Sequence, residues 1–162
     1  MRAAGGFTLI ELLVVLVLMG IVLTFATLGS GLAGSERRLD LLGERLGGCF
    51  ERAGERAVAR AQVLGLALDD GVLDWRYRDR GGGWQPLPSG CSVRRLPAWV
   101  RVDWRVEGRR LRPGAIRQGR PVLVWLPDGA AADFVLNLAA PEGAALVIEG
   151  DVLGRVELRR DG

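Results

Sequence analysis

Residues 7–33 of the chain, "FTLIELLVVLVLMGIVLTFATLGSGLA", hold a single ionisable side chain, Glu11. As a helix, these 27 residues would extend about 40 Å, more than the roughly 30 Å hydrocarbon core of a bilayer. The run is long enough to span. A chain that carries it must divide into an apolar N-terminal part and a remainder that folds in water. Glu11 is the anomaly, because a carboxylate inside a span costs about 3 kcal/mol even on lenient insertion scales and so calls for a partner. A secretory signal peptide ending at the small residues Gly31 and Ala33 is the competing interpretation. Against it stand the acid that opens the run, a length beyond an ordinary signal core, and a leader whose one base is Arg2.

Behind the run, "GSGLAGS" (Gly29–Ser35) reads as a flexible joint, and residues 35–162 as the folded domain. From Glu36 to Leu64 the residues Leu39, Leu42, Leu46, Cys49, Phe50, Ala53, Ala57, Ala61 and Leu64 recur by threes and fours. That spacing predicts an amphipathic helix over about 36–64 facing one core. Ser35 is placed to cap it, with Glu36 in its first turn beside the positive end of the helix dipole. Gly43, Gly47, Gly48 and Gly54 each weaken it by up to about 1 kcal/mol relative to Ala. Packing, not propensity, must hold this helix.

Over 65–162 the period becomes two. In "AWVRVDWRVEG", Val100, Val102, Trp104 and Val106 share one face while Arg101, Asp103 and Arg105 share the other, as in a strand of a sheet with one wet side. The runs "LGLAL", "VLDWRYRD", "PVLVWL", "DFVLNL", "ALVIE" and "RVELR" follow suit, separated by "DDG", "RGGG", "PDG", "PEG" and "DVLG" turns. One helix followed by seven or eight short strands is a segregated arrangement: an α+β fold with antiparallel sheet.

The composition excludes much chemistry. All 22 basic residues are Arg and there is no His, which removes the commonest general base and metal ligand. No G-x-S-x-G occurs, and without His no ordinary triad can form. We therefore expect no catalytic residues, no metal site and no cofactor. "GSGLAG" matches G-x-G-x-x-G in letters only, since it follows an apolar span and not a strand. Asp69, Asp70 and Gly71 lack the alternating ligands of a calcium loop and read as a hairpin turn. The five Trp, at 75, 84, 99, 104 and 125, fall mostly within strand patterns and read as packing residues.

Charge is unevenly spread. Cys91–Arg120 holds nine Arg against two acids, whereas Pro121–Gly154 holds five acids and no Arg. The split suggests a protein partner or self-contact more than a polyanion, and no nucleic-acid recognition motif accompanies it. Cys49 lies on the core face of the helix and Cys91 in a loop between strands. The two either staple helix to sheet in an oxidising compartment or leave Cys49 as a buried free thiol.

The leader and the start of the run, "GGFTLIELLVV" (Gly5 to Val15), closely resemble the class III signal of type IV pilins and type II secretion pseudopilins. The resemblance implies a leader of residues 1–6, cut between Gly6 and Phe7 by a prepilin peptidase on the cytoplasmic side, followed by N-methylation of Phe7. A hydrophobic helix over 7–34 then stays as an inner-membrane anchor, with the domain 35–162 in the periplasm. The segments "RLPAWVRVDWRVEGRRL", "PVLVWLPDGAAADFVLNL" and "ALVIEGDVLGRVEL" resemble the sheet region of the H-type minor pseudopilins, whose fold is a long N-terminal helix packed on antiparallel sheets. Minor pilins of the FimT and FimU type share this domain and supply the alternative, a subunit for pilus assembly or DNA uptake.

By resemblance, the chain is a minor pseudopilin of a type II secretion system. Its implied partners are other pseudopilins, the prepilin peptidase and the inner membrane, with secreted substrates as further candidates. The resemblance also gives Glu11 its partner. The new α-amine on Phe7 would be largely cationic at neutral pH, and Glu11 of an incoming subunit would neutralise the amine of a neighbour during assembly.

Overall fold

The computed structural model describes residues 8–69, 71–87, 90–111, 120–141 and 143–160, with the side chains of 24–33 and of residue 69 not described. Gly6, Phe7 and Asp70 thus lie outside the described residues. One helix, α1 (Leu9–Ala59), is followed by nine strands: β1 (Leu64–Asp69), β2 (Val72–Arg78), β3 (Trp84–Pro86), β4 (Arg101–Val106), β5 (Arg109–Arg110), β6 (Leu123–Trp125), β7 (Phe134–Ala139), β8 (Ala145–Gly150) and β9 (Val156–Arg160). The strands form two antiparallel sheets, ordered β3-β2-β1-β6 and β5-β4-β7-β8-β9. The segregated α+β class is that expected from the change of period.

The helix departs from expectation at both ends. It runs for 51 residues, about 77 Å, straight through "GSGLAGS", which is neither a joint nor a start. Ser35 is buried within the helix instead of capping it, and Glu36 is interior. The physical reason is cooperativity: with helix already formed on both sides, continuing it adds a hydrogen bond per residue, while a break would require a second nucleus. At the other end α1 stops at Ala59, short of Leu64. Ala61 adopts φ 49°; its N–H donates to the Val58 carbonyl (3.1 Å) and the Gln62 N–H to that of Ala57 (3.0 Å). These bonds close a Schellman turn with Ala in place of the usual Gly. Leu64 is fully buried, as a β1 residue facing Tyr77 and Trp125.

The inner face of α1 buries Leu39, Leu42, Leu46, Cys49, Phe50, Ala53 and Ala57. Two of its glycines exist for close approach. A Cβ on Gly43 would collide with Leu146 of β8, and one on Gly47 would sit 2.7 Å from Leu158 of β9. Their cost in propensity is offset by the contact of helix with sheet. Phe50 joins the two sheets at the centre. Its ring lies 6.2 Å from both Trp75 and Trp125 on one side, and 6.1 Å from Trp104 and 5.1 Å from Phe134 on the other. Trp75, Trp104 and Trp125 are core residues, as expected; Trp84 and Trp99 are half-buried.

In the five-stranded sheet, Leu136 of β7 faces Trp104 on one side and Ile148 on the other. The alternation holds in β4, where Trp104 and Val106 are buried and Arg101 and Arg105 exposed. The disulfide Cys49–Cys91, with Cα atoms 5.3 Å apart, ties the β3–β4 connection to α1.

Candidate functional site

The site starts at the first turn of α1. Thr8 is extended, with φ −81° and ψ 150°, and its carbonyl accepts from the N–H groups of Glu11 (3.1 Å) and Leu12 (3.3 Å). Its Oγ1 accepts from the Glu11 N–H at 3.4 Å. Thr8 is therefore the helix cap and Glu11 the third helical residue, the spacing of a capping box. A carboxylate at that position also lies at the positive end of the helix dipole. Glu11 thus has local electrostatic support within a run, residues 7–33, that holds no other ionisable side chain. The sequence carries this T-x-x-E signature at Thr8 and Glu11 within an otherwise apolar stretch.

Beyond this turn the helix is apolar all round. Thirteen large apolar side chains between Leu9 and Leu23 are exposed, from Leu9 at 86% to Val15 at 42%. A helix with no polar face has no stable place in water on its own and belongs within a bilayer or a bundle. Among the described residues, no helix is long and apolar enough to cross a membrane. The apolar run of the sequence extends further than its described side chains, over residues 24–33 and back to Phe7.

Among the described residues, no three His, Cys, Asp or Glu side chains stand close enough to hold a metal ion. One open cleft of about 830 Å³ lies where α1 meets β1, lined by Arg60, Gln62, Tyr77, Arg78, Asp79 and Arg80. Asp79, its acid, is committed to the β2–β3 turn. The Gln85 amide (2.8 Å) and the Gly83 N–H (2.8 Å) both donate to its carboxylate, and they hold its pKa below the ordinary carboxylate value. The structure brings Cys49 and Cys91 together as a disulfide some forty residues along the helix from Glu11. The sequence features thus fall in two regions, the first turn of α1 and the disulfide-bonded domain.

Residues 1–27 match the family model described as the prokaryotic N-terminal methylation motif. The chain is 36% identical over 173 aligned residues to the type II secretion system protein H of Pseudomonas aeruginosa, covering 99% of each chain. It is 28% identical to the protein of the same name from Aeromonas hydrophila, covering 97% of this chain and 94% of that one. Among solved structures, the minor pseudopilin EpsH of the Vibrio cholerae type II secretion system superposes with a TM-score of 0.65 at 14% identity, over 79% of this chain and 99% of that one. The last likeness is one of fold.

Proposed function

The chain belongs to the type II secretion system protein H family, and from that membership we propose that it is a minor pseudopilin, a non-catalytic subunit of a periplasmic fibre that drives folded proteins across the outer membrane. The observation that carries the reading is the union of an all-round apolar half-helix with a stapled α+β domain on one unbroken helix. Before assembly the apolar half anchors the chain in the inner membrane, with the domain in the periplasm, where a disulfide persists. After assembly the same half packs against its counterparts in other subunits. The relatives give no support to the alternative of a type IV minor pilin.

In this reading a prepilin peptidase cuts between Gly6 and Phe7, and the resulting α-amine is methylated. Cleavage places a cation one helical turn from Glu11, at the end of the helix whose dipole also favours the acid. Low dielectric penalises either charge alone and strengthens the pair, so a subunit is best accommodated where its Glu11 meets the amine of a neighbour.

Two substitutions at Glu11 separate this role from capping. Gln retains the T-x-x-E/Q capping pattern but removes the charge. We expect Glu11→Gln to insert and be processed normally, yet to be recovered in the sheared fibre at least tenfold less than wild type, much like Glu11→Ala. Recovery of Glu11→Gln at the wild-type level would refute the charge pair and leave capping as the role of this residue.

A further inference from the structure

The far end of the domain carries a feature that the anchoring half does not explain. The β8–β9 connection, "DVLG" (residues 151–154), is a tight turn whose central residues are both large and apolar. Val152 is 58% exposed and Leu153 63%, in positions where turns ordinarily place polar residues. The turn is held rigidly. Asp151 Oδ1 accepts from the N–H groups of Leu153 (2.8 Å) and Arg155 (2.9 Å).

It is also interlocked with the β6–β7 turn. The Ala131 N–H donates to the Val152 carbonyl at 3.1 Å, and a Cβ on Gly154 would stand 2.9 Å from the Gly129 carbonyl oxygen. Two more exposed apolar residues belong to the β6–β7 turn or face it: Leu126, whose carbonyl accepts from the Gly129 N–H at 3.1 Å, and Val58, whose Cγ2 lies 3.8 Å from the Cβ position of Gly129. The two turns hold each other in place, so the exposed apolar residues at this end of the domain are pre-ordered and little conformational entropy would be lost on covering them.

The two turns themselves are acidic. Asp128, Asp133 and Asp151 come from the arginine-free segment 121–154, and the one cation of the turn, Arg155, leans towards Asp151 at 3.9 Å. Acidic turns disfavour an anionic lipid surface. Position excludes the membrane as well, since Val58 is 49 helical residues beyond Leu9 on an unbroken helix, about 74 Å away.

We infer that Val58, Leu126, Val152 and Leu153 form a docking surface for the domain of another fibre subunit, seated on the membrane-distal side and presenting an apolar pocket rimmed by basic side chains. The inference rests on the fibre-subunit reading and adds to it which end of the domain meets which chemistry.

The test uses the full chain in cells that carry its secretion system, with a photo-crosslinking residue in place of Leu153 or, separately, of Leu16 on the apolar half of α1. Both probes are expected to give adducts with other pseudopilins, the Leu153 adduct mapping beside Arg or Lys. A Leu16 adduct without one from Leu153, or a Leu153 adduct that maps to an acidic surface or to lipid, would overturn the inference and leave the fibre reading intact. No subunit adduct from either probe would overturn both. Leu153→Asp should lower secretion at least tenfold while the melting temperature of the purified protein is unchanged; wild-type secretion by this variant would also overturn the inference.

Discussion

Glu11 and Asp79 show how differently a carboxylate is used at the two ends of this chain. Glu11 stands at the third position of a helix capped by Thr8, supported by backbone dipoles and awaiting, in our reading, a cation that cleavage creates. Asp79 is satisfied already. Gln85 and Gly83 donate to it, so its pKa lies below the ordinary value. The sign of the linkage follows: a carboxylate whose folded pKa is depressed contributes its stability in full above the unfolded pKa of about 4 and loses it as pH falls through the lower folded value. The Gly83 amide should therefore stay protected from hydrogen exchange at neutral pH and lose protection only below about pH 4. In Asp79→Ala the loss should appear at every pH. A wild-type amide that is unprotected already at pH 7 would contradict this account of the turn.

Among the elements, the strands were the easier part to read. The alternation in Arg101–Val106 and the turn signals gave the antiparallel sheets, whereas β3, three residues ending in Pro86, and β5, two Arg residues, are too short to set up a period. The helix was legible in its core face but not in its limits. Ala61 and Leu64 continue the apolar spacing, yet Ala61 is exposed in a left-handed turn and Leu64 belongs to β1. "GSGLAGS" has the composition of a linker, but its neighbours on both sides are helical. Glycine on α1 likewise means more than weakness. Gly43→Ala should gain about 1 kcal/mol of helix propensity and lose more by driving a methyl group into buried Leu146, where overpacking costs about 1–3 kcal/mol. The expected net destabilisation is up to about 2 kcal/mol by denaturant titration, and a stabilised Gly43→Ala would show that β8 can yield.

At the scale of the molecule, the chain is an apolar rod leading into a domain fastened to the same helix. Packing of Phe50 between Trp75, Trp125, Trp104 and Phe134 joins the sheets, and the disulfide adds a covalent fastening across 42 residues of sequence. Closing a loop of that size restricts the unfolded chain by about 4 kcal/mol in the chain-entropy account. Reduction should lower the melting temperature by about 10–20 °C, and an unchanged melt with both thiols labelled would contradict that. Of the candidate site, Glu11 was legible by its contrast with the run around it, and the cysteine pair as alternatives between which sequence spacing could not choose. The proposed distal surface was not legible, because Val58, Leu126 and Val152–Leu153 are far apart in sequence and only the fold brings their turns to one end of the domain.

The central claim is that the apolar half of α1 is kept after processing, with its new amine next to Glu11. Mass spectrometry of the N-terminal peptide of the protein extracted from membranes tests it most directly. The account predicts a chain that begins at methylated Phe7; a chain that begins at Met1, or near Gly34 with the apolar run removed, would contradict it.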